Sequence, residues 1–155
     1  TDIIVGFPGE EEQDFQQTME VLERVRFDNV FSFVFSARPY TVAATMEDSL
    51  PENLKKKRLQ KLQQRQYQIT LENNKSLTGE IKKILVESFN QEQYSGRSEC
   101  NRVVNINWPK PEKYRNDHNT EGVDKTKIIG LEQKIKITKG LPHCLLGEPY
   151  ITREG

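Results

Sequence analysis

Thr1-Asp2-Ile3-Ile4-Val5-Gly6-Phe7-Pro8-Gly9-Glu10 opens the chain. A short apolar run, a glycine- and proline-bearing turn and the start of an acidic stretch predict a strand that turns directly into a helix. Glu11, Glu12 and Asp14 continue the acid where a helix N-terminus favours negative charge. Phe15, Met19, Leu22 and Val25 then recur at helical spacing, with Gln16, Gln17, Glu20, Glu23 and Arg24 around them. Val30-Phe31-Ser32-Phe33-Val34-Phe35 reads as a second strand with three phenylalanines on one face. Strand, helix and strand so closely spaced make a βαβ unit, hence a parallel sheet with a right-handed crossover. With no initiator Met and no lead-in element before Thr1, the chain is expected to be the back part of a longer protein.

Residues 36–50 are expected to form a loop at the carboxyl end of the second strand. Ser49 and Glu52 have capping-box spacing, and Pro51 sits early in the helix that follows, where its missing N–H costs little. That helix is predicted to run through Leu54, Leu59, Leu62 and Ile69 and to end near Gly79. Long, basic and sparing in apolar residues, it reads as a connector over 51–75. Beyond Gly79 the period shortens. Ile84 and Val86, the run Arg102-Val103-Val104-Asn105-Ile106, the alternation of Leu131, Gln133, Ile135 and Ile137, and Leu145-Leu146-Gly147-Glu148 predict short strands of a small, closed, OB-like β-barrel over 76–153. A polar segment at about 108–127, with Tyr114 and His118, reads as a mobile loop or insertion. The fold class expected is therefore α/β followed by all-β.

The 155 residues allow one ordinary domain or two small ones. Lys plus Arg equal Asp plus Glu at 23 each, so the total charge says nothing of partners. Its distribution does: 1–50 carry three basic and ten acidic side chains, whereas 51–75 carry seven basic and two acidic, so a polyanion would meet the basic side. Cys100 and Cys144 lack metal-ligand spacing and read as free thiols in a reducing cytoplasm. His118 and His143 are isolated, and no metal site is expected. No apolar run approaches membrane-spanning length, so a soluble, cytoplasmic protein is expected.

Ligands of parallel α/β sheets sit at the carboxyl ends of the strands. Both loops there are candidates: Gly6 and Gly9 permit close backbone approach, and Arg38 beside Pro39 suits a phosphate or carboxylate. A tight turn that binds nothing and a solvated arginine are the plain alternatives. The basic helix could track a nucleic-acid backbone, or present an ordinary solvated face. In the barrel, Arg97, Asn101 and Arg102 cluster around a turn, and Lys134 and Lys136 project from one strand face. Such side chains meet single-stranded nucleic acid in OB-like barrels. Phe89, Tyr94 and Trp108 are candidate stacking platforms or core.

The ordered series Thr1 to Glu10, Phe31-Ser32-Phe33 to Ser36-Ala37-Arg38-Pro39, Ala43-Ala44, Arg58-Leu59-Gln60 to Leu62, and Gly96-Arg97 to Asn101-Arg102-Val103-Val104-Asn105 resembles the C-terminal half of the radical-SAM methylthiotransferases. Asn101 to Asn105 and Arg38-Pro39 most resemble the tRNA branch, the 2-methylthio-isopentenyladenosine synthases. The resemblance implies the end of a radical-SAM, partial TIM-like barrel over residues 1 to about 70, and a TRAM β-barrel from about 76 to 153. It implies S-adenosylmethionine (SAM) and two 4Fe-4S clusters as cofactors of the parent, and the tRNA anticodon stem-loop as partner. It places Val5, Gly6, Phe7, Pro8, Gly9 and Glu10 beside SAM, and Ser36, Arg38 and Pro39 beside the substrate adenosine. Arg97, Asn101 and Arg102 would contact tRNA. Tyr40-Thr41-Val42 departs from the family's usual Gly-Thr-Pro, and the cluster-binding cysteine run is not in this sequence. Without it, this chain is expected to be inactive alone, and residues 1–50 to be only marginally ordered without the rest of their barrel. RNA binding alone, a threonylcarbamoyl-adenosine tRNA substrate and a ribosomal-protein substrate are the other readings.

Overall fold

A computed structural model describes residues 1–47, 50–90, 93–108 and 127–150. The segment 109–126, with Tyr114 and His118, and Ser49 of the expected capping box lie outside the described residues. The chain divides into two compact units, Thr1–Glu72 and Asn73–Gly155.

In the first unit, strand β1 (Asp2–Val5) pairs in parallel with β2 (Phe31–Val34), in the register Ile4↔Phe33 and Val5↔Val34. Helix α1 (Glu12–Val25) joins them. Its start is fixed by acid, as expected: the Glu11 amide donates to Asp14 Oδ2 at 2.8 Å. Arg26, in the left-handed region at φ 53°, ends it by donating its amide to the Leu22 carbonyl at 3.0 Å. Phe15 and Leu22 are buried and Met19 packs beside them, but Val25 is exposed. At 100° per residue position 25 has drifted about 80° from Phe15, and position 26 returns to the stripe.

Helix α2 (Glu52–Ser76) starts after Pro51, whose carbonyl accepts from the Leu54 and Lys55 amides. It carries one continuous buried stripe, Lys55, Arg58, Leu62, Gln66 and Ile69. Leu62 and Ile69 join Val5, Phe15 and Leu22 in the core of the first unit. Burying each such aliphatic side chain contributes about 2 kcal/mol. Three of the stripe's five positions are polar, which is why apolar residues alone understate how much of this helix is buried. The opposite face of the sheet is bare: Ile4, Phe31 and Phe33 are 55, 61 and 55% exposed.

The second unit is a closed five-stranded barrel. Its strands are β3 (Ile81–Asn90), β4 (Gln93–Ser98), β5 (Val103–Ile106), β6 (Glu132–Gly140) and β7 (Leu145–Pro149), in the spatial order β3-β4-β5-β7-β6. All pairs are antiparallel except β5 with β7. Ile84, Val86, Val104, Ile106, Ile135, Ile137 and Leu145 fill the interior, as their alternation predicts. The expected small β-barrel is thus present. Strand β4 is the element that alternation does not reveal, because Gln93-Tyr94-Ser95-Gly96-Arg97-Ser98 offers only Tyr94 to the core. Gly96 is required there by contact: a Cβ would lie 2.2 Å from the Leu85 carbonyl oxygen. Tyr94 belongs to the core, with Phe89 and Trp108 packed on it at ring-centroid distances of 4.6 and 5.7 Å. None of the three is an exposed stacking platform.

Candidate functional site

Parallel pairing puts the carboxyl ends of β1 and β2 side by side. The Phe35 amide donates to the Val5 carbonyl at 2.8 Å, and the Phe7 and Phe35 rings meet edge-on at 5.0 Å. Val5 and Pro8 are buried, Phe7 and Gly9 exposed. The turn is closed from within: the Gly6 amide donates to Glu10 Oε2 at 2.7 Å, and the Glu10 amide to the Phe7 carbonyl at 2.9 Å. Both glycines have positive φ, 72° at Gly6 and 85° at Gly9. On the neighbouring loop Ser36, Arg38 and Pro39 are exposed. Among the described residues the Arg38 side chain has no partner, while its carbonyl accepts from the Thr41 hydroxyl at 2.8 Å. A short 3-10 helix, Val42–Thr45, follows, capped by Thr41.

Three of the six cations that the basic helix places in this unit are buried or ion-paired, whereas Lys56, Lys57 and Lys61 are exposed. Lys55 and Arg58 are buried, at 1 and 4% exposure. Arg65 forks onto Glu23 and reaches Glu72 at 3.2 Å, and Arg26 meets the same Glu72 at 2.6 Å. Hydrogen bonds from Arg26 and then Arg65 hold the Glu72 carboxyl below its ordinary range, and Arg65 does the same to Glu23. Arg65 itself is raised, chiefly by Glu23.

In the second unit, Arg97 and Asn101 come together across the β4–β5 turn. Arg97 Nη1 donates to the Asn101 side-chain oxygen at 3.1 Å and its carbonyl at 3.2 Å, while Nε lies 3.4 Å from Glu87. Asn101 takes the left-handed conformation, φ 61°, that Asn tolerates better than most residues. Arg102 points elsewhere: Nε donates to Asn74 Oδ1 at 3.0 Å and Nη1 to the Cys100 sulfur at 2.7 Å. Asn74, buried, in turn donates to the Leu141 carbonyl at 2.7 Å. Burial alone would push the Cys100 thiol up, but Ser98 and the Arg102 guanidinium outweigh it and hold it below its ordinary value.

Lys134 and Lys136 are exposed on the outer face of β6. Lys83, which sequence reasoning passed over, stands directly opposite Lys134 across the β3–β6 ladder. Its alternation with the buried Ile84 and Val86 was the available signal. The face is mixed rather than purely cationic, since Glu132 lies opposite Leu85 and Glu148 opposite Lys136. Among the described residues no group of three His, Cys, Asp or Glu side chains could hold a metal ion. Nor is any described helix long and apolar enough to cross a membrane.

No protein-family model matches the chain. Curated sequences do, over nearly its whole length, and the relatives they define are methylthiotransferases. The chain belongs to that family. Among them are relatives named tRNA-2-methylthio-N(6)-dimethylallyladenosine synthase: that of Solibacter usitatus is 40% identical over 150 residues, 96% of this chain. Those of Chromohalobacter salexigens and Pseudomonas aeruginosa PAO1 are each 42% identical, over 151 and 150 residues. The chain spans about a third of the length of these relatives, 31% of the first, and corresponds to their C-terminal part.

Proposed function

We propose that this chain is the C-terminal part of a cytoplasmic radical-SAM methylthiotransferase that adds a methylthio group to the isopentenyl-type adenosine beside the tRNA anticodon. The observation that carries the reading is the 40 to 42% identity, over 95 to 96% of the chain, to relatives bearing that name. In this reading residues 1–50 close the radical-SAM α/β barrel, 51–75 lead out of it, and 76–153 are the TRAM domain. Strand edges that are unpaired among the described residues, and the bare face of Ile4, Phe31 and Phe33, support it, because a barrel strand needs neighbours on both sides. The dimethylallyladenosine in the relatives' name favours this substrate over threonylcarbamoyl-adenosine or a ribosomal protein.

The residues of the Gly6–Glu10 corner fit SAM. The amides of Phe7 and Gly9 make no hydrogen bond to a described residue, and a Cβ at Gly9 would meet nothing within 4 Å. Bound there, SAM would supply the radical source and the methyl donor. The chain's part is to present that corner and, through Ser36, Arg38 and Pro39, to border the adenosine. The 4Fe-4S clusters do not fit: SAM-cleaving clusters take three thiolates, and this chain holds two cysteines 44 positions apart. Cluster ligation and radical generation therefore belong to residues outside this chain, which is inactive alone.

Arg97, Asn101, Lys134 and Lys136, with Lys83 added, would hold the phosphates of the stem-loop. Arg102 would act by holding the turn that carries Asn101. Titrating this chain with an anticodon stem-loop carrying isopentenyladenosine, across a salt series, tests this. Binding that weakens with salt, and whose salt slope falls by about two in an Arg97→Ala, Lys134→Ala double variant, is expected. Binding indifferent to those cations, or none at low salt, would overturn the RNA-holding role.

A further inference from the structure

The two buried cations of α2, Lys55 and Arg58, both lie against the Gly6–Glu10 corner. Arg58 Nη1 donates to Glu10 Oε1 at 2.7 Å and to the Glu10 carbonyl at 3.2 Å, and Nη2 to Glu12 Oε2 at 3.0 Å. The other carboxylate oxygen of Glu10 accepts the Gly6 amide at 2.7 Å. One carboxylate thus bridges the first residue of the turn and a guanidinium brought in by another helix. Beneath the turn, a Cβ at Gly6 would lie 2.5 Å from Lys55 Cγ and 2.8 Å from its Cδ, whereas Gly9 opens onto empty space. Arg58 keeps this place although its Nε is buried without a partner, an arrangement that costs stability and that packing alone does not require.

We propose that Arg58 and Lys55 are positioning residues for the SAM-facing corner. Arg58 fixes it through the Glu10 carboxylate, and Lys55 through its aliphatic stem under Gly6. Glu10 is then committed inside the turn and is not itself a ligand; the corner offers its ligand the backbone of Phe7 to Gly9. The inference builds on the reading of this corner as the SAM-facing one, but its geometry is testable without SAM.

The experiment is amide hydrogen exchange by NMR on the labelled chain. Arg58→Lys keeps charge and burial but removes the fork, and Glu10→Gln keeps size while weakening the bridge. Each is expected to speed Gly6 exchange about tenfold, the loss of roughly one charge-assisted hydrogen bond, while Leu22 and Ile69 amides keep their wild-type rates. Lys55→Met, which keeps the stem, is expected to leave Gly6 unchanged. Unchanged Gly6 exchange in Glu10→Gln, or acceleration shared equally by Leu22 and Ile69 in both variants, overturns the proposal. Adding SAM to the same samples separates the two claims. A missing response at Phe7 and Gly9 in the wild type counts against the SAM reading, whereas the Gly6 rates judge the positioning by themselves.

Discussion

Every strand of the second unit has a neighbour on both sides, whereas β1 and β2 of the first unit pair only with each other among the described residues. The barrel hides its apolar side chains in one interior; the βαβ unit hides one sheet face beneath α1 and α2 and leaves Ile4, Phe31 and Phe33 in the open. Closure satisfies backbone and side chains together. An open pair must borrow order from helices, and here it takes it from a helix whose buried stripe is more than half polar. The difference teaches that local order and completeness are separate: the first unit has a core, but its sheet is unfinished.

The largest expected effect falls on the closed core. Ile135→Ala should cost about 3 kcal/mol through lost burial and a residual cavity, read in urea by the fluorescence of Trp108, the chain's single tryptophan, which packs on that core. The helical circular-dichroism transition, dominated by α1 and α2, should hold its midpoint. A common shift of both transitions would break the comparison by making the two units one cooperative body. Next in size is the contrast in hydrogen exchange. Amides of Ile84, Val104 and Ile137 should be protected well beyond those of Ile4 and Phe33, and equal protection would show that the open sheet is no weaker than the barrel.

A smaller effect concerns acid. Glu23 and Glu72 have folded-state values held below the ordinary 4.5 by Arg65 and Arg26, so they bind fewer protons folded than unfolded. Their stabilisation is present above that value and is lost as pH falls through the lowered ones. The helical midpoint should therefore drop below about pH 4.5, and Arg65→Gln should flatten the drop. The smallest effect sharpens the contrast from the other side. Phe31→Thr with Phe33→Thr should change stability by less than about 0.5 kcal/mol, since exposed side chains contribute little, yet reduce self-association in sedimentation.

Much of this was legible in the sequence. The turn from Val5 to Glu10, the acidic start of α1 and the alternation around Ile84, Ile135 and Ile137 each state their structure locally. Strand β4 was not, because a strand built of Gln, Ser and Gly is recognised by its neighbours rather than by its own pattern. The burial of Lys55 and Arg58 was hidden for a related reason: composition marks them as solvent-seeking, and only Glu10 and the bare Gly6, some fifty residues earlier, make them interior. Arg97 and Asn101 were found together, as their spacing suggested. Arg102 stands beside them in sequence but reaches Asn74, a partner that no local pattern announces.

The parallel pairing of β5 with β7 also bears on how the barrel is made. β7 fills the gap between β5 and β6, so a chain emerging from the ribosome carries four strands with two raw edges until Leu145–Pro149 arrives. The keystone is the strand synthesised last of the five, and its partner β5 lies about forty residues upstream, a long loop to close. Shortening the chain by those five residues would therefore do more than trim the domain. It would leave the assembly permanently at its most adhesive stage, the one that a nascent polypeptide passes through only briefly.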